Sequence, residues 1–255
     1  MSVLDTFRLD GQAAIVTGGN RGIGKAIARG LAEAGADVVI ANRTAETGHE
    51  AAEELDRETD SSVIAVPTDV SVEADVEALV ETTVEEFGGV DVLVNNAGIA
   101  IHSGAEEKTL EEWQDTIDIN LTGTFLCSKH AGNVMIENGG GSIINVTSMS
   151  AFVANYPQRH VDYQASKGGM EAFSHQLASE WAQYGVRVNN IAPGYVATEI
   201  LVNDEEMLNI WKSEMLLDEL ATPDEIAPLA VYLASDASSY VTGETVVIDG
   251  GYTVR

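Results

Sequence analysis

One stretch constrains this chain more than any other: Ala13-Ala14-Ile15-Val16-Thr17-Gly18-Gly19-Asn20-Arg21-Gly22-Ile23-Gly24. The apolar run 13–16 predicts a strand buried on both faces, and the glycines at 18, 22 and 24 predict a turn. From Ala26 to Ala34 apolar residues recur every three or four positions, which predicts a helix. Strand, glycine turn and helix N-terminus together suit a nucleotide phosphate: glycines admit close backbone approach, and the unpaired N–H groups of the first helical turn face the anion. The spacing Gly-x3-Gly-x-Gly departs from the dinucleotide fingerprint G-x-G-x-x-G. An ordinary tight turn would carry the same glycines, so both readings stay open on these residues alone.

The same strand-then-helix alternation runs to the end of the chain. Further strands are predicted at Asp37–Ala41, Ser62–Pro67, Val90–Val94, Ser142–Thr147, Val186–Ile191 and Thr245–Ile248. Helices are predicted up to Glu58 after the second strand, over Glu73–Phe87, Leu110–Glu137 and Tyr163–Tyr184, and over most of 203–235. Continuous apolar strands alternating with helices imply a doubly wound α/β fold of Rossmann type, with about seven parallel strands and helices on both faces. With 255 residues, no Pro/Ser-rich linker and no repeat at solenoid periods, a single domain spanning 1–255 is expected. Ligands in such sheets sit at the carboxyl ends of the strands.

Composition narrows the partners. The net charge is −28, from 41 acidic and 13 basic residues, and the acids spread over predicted helix faces (Glu50, Glu53, Glu54, Asp56, Glu58). Nucleic-acid binding, which needs a basic surface, is excluded. No apolar run reaches membrane-spanning length and no signal-like apolar core opens the chain, so a cytoplasmic setting is expected. The single cysteine, Cys127, predicts a small core residue and no internal disulfide. Self-repulsion at this charge density, relieved by salt, predicts adaptation to a salt-rich (halophilic) cytoplasm.

Chemistry is sought at the strand ends. The second strand ends at Asn42-Arg43, where an acidic residue would hold a ribose 2′-OH and a basic one a 2′-phosphate. With Arg21 in the glycine turn, two of thirteen basic residues flank that position, which favours NADP(H) over NAD(H). Tyr163 and Lys167, four apart, share one helix face. A cation beside a phenol favours the phenolate, which makes the phenol a usable base. Ser148 ends the fifth strand and can point into the same cleft. Tyr/Lys pairs and strand-ending serines are also ordinary surface features. The histidines at 49, 102, 130, 160 and 175 show no metal-ligand spacing, and no metal is expected.

These residues, with Asp69, Asn95-Asn-Ala-Gly98, Asn120, Pro193-Gly194 and Thr198, resemble the short-chain dehydrogenase/reductase family along essentially the whole chain. The resemblance implies a general acid/base at Tyr163. It implies that Lys167 lowers the tyrosine pKa and holds the nicotinamide ribose, that Ser148 orients the substrate oxygen, and that Asn120 holds a relay water. It implies a cofactor site lined by Gly18, Asn20, Arg21, Gly22, Ile23, Gly24, Asn42, Arg43, Asp69, Val70, Asn96, Ala97, Gly98, Pro193, Gly194, Val196 and Thr198. Asp69 would meet the adenine and Thr198 the nicotinamide carboxamide.

The segment between Ser148 and Tyr163 bears on substrate. Its pattern resembles the polyol branch of the family, the mannitol, sorbitol and arabinitol dehydrogenases and sorbose reductases. Ser150, Asn155, Gln158 and His160 offer donors and acceptors for a polyhydroxylated chain, unless they cap the loop's own backbone. Arg159 would suit a sugar-acid carboxylate, and the ending Asp-Gly-Gly-Tyr also occurs in gluconate dehydrogenases. Residues 195–217, opening with Tyr195, are expected to form a flap over the substrate. Alternatives are a reductase of 3-oxoacyl or steroid ketones, or a non-catalytic cofactor-binding sensor or scaffold. Family members are usually tetramers, so a homotetramer or homodimer built on the 110–137 and 162–184 helices is expected.

Overall fold

The computed structural model describes residues 2–198 and 205–255. The seven strands are β1 (Ala13–Thr17), β2 (Asp37–Asn42), β3 (Val63–Pro67), β4 (Val92–Asn95), β5 (Gly141–Val146), β6 (Val186–Pro193) and β7 (Thr245–Ile248). They form one sheet in the order β3-β2-β1-β4-β5-β6-β7, parallel at every pairing. The helices are α1 (Gly22–Glu33), α2 (Ala45–Glu58), α3 (Glu73–Phe87), α4 (Leu110–Ile117), α5 (Gly123–Asn138), α6 (Val161–Trp181), α7 (Glu205–Glu214) and α8 (Ala227–Ala234).

The strands read as unbroken apolar runs because both faces are covered. Successive side chains point to opposite faces, so Val38 and Ile40 pack with Ile27, Leu31, Leu55 and Leu233 from α1, α2 and α8. Ile15, Val39, Leu93 and Ile143 pack on the other face with Leu79, Leu126, Met135 and Leu177 from α3, α5 and α6. Cys127 is buried in this second layer. The chain order reverses between β1 and β4, which opens a crevice at their carboxyl ends.

Two departures from the sequence reading matter for the site. The helix expected over 110–137 is broken by a π-helical turn at Asp118–Thr122, which turns Asn120 fully inward. Such a turn deprives a carbonyl of its usual i+4 partner, and the Thr124 hydroxyl donates to the Asn120 carbonyl at 2.8 Å. The helical run expected over 203–235 is interrupted after α7. There Ala221 forms an isolated parallel bridge with Val196, and the chain restarts at a Pro223–Glu225 turn before α8. Of the expected flap, residues 199–204 lie outside the described residues. Its remainder forms a small third core of Met149, Tyr195, Trp211 and Met215 above the strand ends.

Candidate active site

The glycine turn is shaped by what comes close to it. A Cβ at Gly24 would overlap the Gly18 carbonyl, and one at Gly22 would lie 3.4 Å from the Thr198 methyl. Thr198 thus stands over the turn, with Ile23 half-buried beneath it in the α1 layer. Asn96 fixes the turn from the side: its Nδ2 donates to the carbonyls of Thr17 (2.9 Å) and Gly18 (3.2 Å). The N–H groups of Asn96 and Ala97 both donate to the Thr17 hydroxyl at 3.0 Å. Helix α1 starts behind Arg21 with no side-chain cap and no acid in its first turn, whereas α2, α3 and α4 all carry acids there. In so acidic a chain, an uncapped, acid-free N-terminus over a glycine cradle fits a dinucleotide pyrophosphate.

The strand ends line the rest of the crevice. Asn42 is buried at the end of β2; its Nδ2 donates to the Thr44 carbonyl (2.7 Å), while its Oδ1 is buried without a partner. Asn20 donates to the Thr47 hydroxyl at 3.1 Å. Arg43 and Arg21 are exposed and, among the described residues, pair with no carboxylate, although Arg8, Lys25, Arg29, Lys108, Lys129 and Arg159 all do. Asp69 accepts from the Ser71 N–H (3.0 Å) and hydroxyl (2.6 Å) through one oxygen, which leaves the other free of Ser71. Val70 is buried against the start of α5. Pro193 ends β6, and Gly194 admits Asp249, whose Cα would lie 2.6 Å from a Cβ there. Val196 is buried beside it.

Tyr163, Lys167, Ser148 and Asn120 converge at the carboxyl ends of β4 and β5. Ser148 lies close enough to the Tyr163 phenol to lower its pKa, and the Lys167 Nζ lies 5.7 Å from the Tyr163 ring centre. Ser148 donates to the Ser150 hydroxyl at 3.0 Å and accepts from the Ser150 N–H at 3.1 Å. Lys167 is 3% exposed and donates to the Val146 carbonyl at 2.7 Å. Its burial pushes the ammonium down to about 8, against the upward pull of Glu171. The sequence reading expects a lowered tyrosine pKa. In the protein alone the balance falls the other way: burial raises the phenol more than the neighbouring Ser148 lowers it.

Asn120 uses its side chain as a peptide would. Its Oδ1 accepts from the Ile99 N–H (2.8 Å), and its Nδ2 donates to the Ile99 carbonyl (3.0 Å) and to the Ser166 hydroxyl (3.0 Å). A Cβ on Gly98 would lie 3.2 Å from Asn120 Oδ1 and 3.7 Å from Lys167 Nζ, so the three positions meet at one point.

The 149–163 segment divides its polar residues. Its backbone is held by a residue the sequence reading passed over, Gln164, which donates to the carbonyls of Ser150 (3.2 Å) and Val153 (2.7 Å). Asn155 donates to the Tyr195 hydroxyl at 3.2 Å. With its amide oriented to satisfy both neighbours, Gln158 accepts from Tyr195 (2.9 Å) and from the Trp211 indole (3.0 Å). Tyr195 stacks on Trp211 at 4.2 Å between ring centres, so these two amides tie the segment to the flap. Arg159 points the other way and pairs with Glu106. His160 is 8% exposed, 5.2 Å from the Tyr163 ring and 5.4 Å from His102, with both ring nitrogens buried and unpartnered. Burial lowers its pKa to about 4, so the imidazole is neutral at pH 7.

The linear sequence hides two further clusters. Lys108 and Asp162 form a buried ion pair at 2.9 Å, with Thr116 donating to the same carboxylate oxygen at 2.7 Å, and so pin the 99–109 loop beside Tyr163. Glu73, Glu77 and His130 bring potential metal-ligand atoms within 4.8 Å of one another. Glu73 and Glu77 share α3 but His130 comes from α5, so spacing could not reveal the trio, and Lys129 already holds Glu73 at 2.6 Å.

A phenol beside a serine and a buried lysine, at strand ends next to the glycine turn, suits the movement of a proton on an alcohol oxygen. The comparisons agree with that chemistry. Residues 18–253 match a family model described as enoyl-(acyl carrier protein) reductase. The chain is 40% identical over 257 residues to galactitol 2-dehydrogenase (L-tagatose-forming) of Cereibacter sphaeroides, covering 100% of each. It is 40% identical to the NADP-dependent mannitol dehydrogenase of Hypocrea jecorina, covering 99% of this chain and 96% of that one. A crystal structure of gluconate 5-dehydrogenase from Burkholderia cenocepacia with NADP and tartrate superposes with a TM-score of 0.94 at 35% identity over 100% of both chains. The chain belongs to the short-chain dehydrogenase/reductase family and is an oxidoreductase of that family's alcohol dehydrogenase/ketoreductase type.

Proposed function

We propose that this protein interconverts a secondary alcohol and a ketone on a sugar alcohol, ketose or sugar acid, with Tyr163 as general acid/base. A nicotinamide cofactor held over the Gly18–Gly24 turn would supply or take up the hydride. Tyr163 takes the proton from the substrate hydroxyl in oxidation and returns it in reduction. Ser148 orients the oxygen, Lys167 supplies the positive charge that favours the phenolate, and Asn120 holds the Ile99 backbone beside Lys167.

The observation that carries the substrate class is His160. Both nitrogens of a neutral imidazole lie buried, unpartnered and against Tyr163, and Asn155 Oδ1 in the same segment is also unpartnered. Since Gln164 holds the loop backbone, these groups are free to pair with a second hydroxyl of the substrate. The galactitol and mannitol activities in the names of the relatives support the same class. The pairing of Arg159 with Glu106 weighs against its use on a sugar-acid carboxylate.

NADP(H) is favoured over NAD(H), because Arg21 and Arg43 stand without carboxylate partners among the described residues at the expected 2′-phosphate position. Assembly into a homotetramer or homodimer is supported by Phe125, 47% exposed and packed edge-on to Phe173 between α5 and α6. A cytoplasmic location is proposed from the single unpaired cysteine; no described helix is long and apolar enough to cross a membrane.

The deciding experiment is a panel of sugar alcohols, ketoses, sugar acids, steroids and acyl thioesters with both cofactors in molar KCl. Turnover of polyhydroxylated substrates is expected, with Arg43→Ala weakening NADPH binding about tenfold, the scale of ~1.4 kcal/mol, and leaving NADH unchanged. Turnover confined to steroids or acyl thioesters overturns the substrate class.

A further inference from the structure

The face of α6 that carries Tyr163 and Lys167 continues one turn further to Glu171. Residues four apart on a helix are neighbours, so Lys167 and Glu171 share one buried face of α6, held at adjacent strands β5 and β6. Glu171 is 7% exposed and, among the described residues, forms no ion pair. Its Oε2 accepts from the Asn190 side chain at 2.7 Å and from the Thr245 hydroxyl at 2.5 Å, while Oε1 is buried without any partner. A buried charged carboxylate is costly unless it is paired and hydrogen-bonded.

What holds Glu171 is a polar row built across the sheet. Asn95, Asn145, Asn190 and Thr245 occupy directly paired positions on β4, β5, β6 and β7. Asn95 donates to Asn145 (2.8 Å), Asn145 to Asn190 (3.3 Å), and Asn190 to both Thr245 (3.1 Å) and Glu171. Ser128 and Ser174 accept the remaining N–H groups of Asn95 and Asn145. The donors that fix Glu171 are therefore themselves fixed, and all are neutral.

We propose that Glu171 is a positioning residue for the reaction: its carboxylate, locked by Asn190 and Thr245, is the counter-charge that keeps Lys167 protonated in its buried site. The groups that meet Lys167 are Tyr163 on its own helix, the Val146 carbonyl at the end of β5, and Gly98 and Asn120, with Glu171 one turn along the same buried face of α6. Glu171 is the one carboxylate among them. Without it, burial alone acts on Lys167, the ammonium loses its proton nearer neutrality, and Tyr163 loses the cation that favours its phenolate.

The proposal rests on Tyr163 as the acid/base, and the test separates the two. The pH dependence of kcat for alcohol oxidation is measured on the assembled protein with saturating cofactor. In Glu171→Gln, which can still accept from Asn190 and Thr245, the acid limb should move up by at least about one unit and kcat near pH 7 should fall about tenfold. Rates should converge with the parent at high pH. Glu171→Asp, which retains the charge, should recover most of kcat near pH 7. Should the Gln variant fail to fold, Thr245→Val releases the carboxylate from one bond and should move the limb in the same direction by less. An unmoved limb in a folded Gln variant, or in Thr245→Val if that is the one tested, overturns the proposal, as does a limb that Asp does not restore. If Tyr163→Phe retains turnover, the acid/base assignment itself falls. If Tyr163→Phe is inactive and the limb of Glu171→Gln stays put, only the role of Glu171 falls.

Discussion

At the scale of single residues, two side chains one turn apart divide the work of the site. Tyr163 carries the proton, so Tyr163→Phe should lower kcat by roughly 10²–10⁴, the range for removing a positioned acid/base. Cofactor affinity, measured by fluorescence titration, should stay within about twofold. His160 carries a linkage that can be read without substrate. Its folded-state pKa is about 4 against an ordinary 6.5. Between those values the unfolded chain binds the proton and the folded one does not. The stability it contributes is therefore fully present above pH ~6.5 and is lost as pH falls towards ~4, by up to about 3 kcal/mol. His160→Phe should flatten the fall in melting temperature over that window, and should also raise KM for a polyol about tenfold if the imidazole pairs with a substrate hydroxyl, a loss of ~1.4 kcal/mol. A parent-like acid arm in the variant would assign the fall to other groups.

At the scale of elements, the π turn at Asp118–Thr122 decides how the 99–109 loop is carried. The Asn120 amide satisfies the Ile99 N–H and carbonyl, so Asn120→Ala strands both, along with Ser166. The expected loss is about 3 kcal/mol, read as a drop of roughly 6–12 °C in Tm with faster hydrogen exchange at the Ile99 amide. An unchanged exchange rate at Ile99 would mean that the loop is held by Lys108 and Asp162 instead. This turn also marks where sequence reasoning stops. Runs such as Val92–Val94 were legible because burial on both faces leaves mostly apolar residues, and Tyr163 with Lys167 because helical spacing alone puts them on one face. The π turn was not, since apolar residues keep a helical rhythm on both sides of it. Nor was the division of labour in 149–163: Asn155 and Gln158 serve Tyr195, Gln164 serves the backbone, and His160 is left free. Those outcomes depend on contacts 10 to 40 residues away, which no local pattern encodes. Arg159 illustrates the same limit, for its partner Glu106 lies in a loop whose path follows from the Lys108–Asp162 pair.

At the scale of the whole molecule, charge is the dominant unbalanced quantity. Forty-one acids face thirteen bases, and several bases are unavailable to the surface: Lys167 and Lys108 are buried, and Arg187 is spent on the carbonyls of Ala234 and Ser235 and on Ser238. Those that remain are shared, as where Arg29 serves Glu54, Glu58 and Asp224 at once. Most surface carboxylates thus repel one another across water, a term that acts over the Debye length of ~10 Å at 0.1 M salt and ~3 Å at 1 M. Exposed ion pairs such as Lys129 with Glu73 cannot offset it, since solvent screens them and they weaken further in the same salt. Raising KCl from about 0.1 M to molar should therefore raise Tm strongly, by an estimated 10 °C or more, with most of the gain below ~1 M, where screening changes fastest. Sucrose, which strengthens burial by exclusion without screening charge, should stabilise the protein without reproducing that early rise. Replacing Glu50 and Glu53 on the outer face of α2 by Gln should raise Tm at low salt and shrink the KCl response. A flat KCl response, or one unchanged by these replacements, would remove self-repulsion as the reason for the chain's acidity.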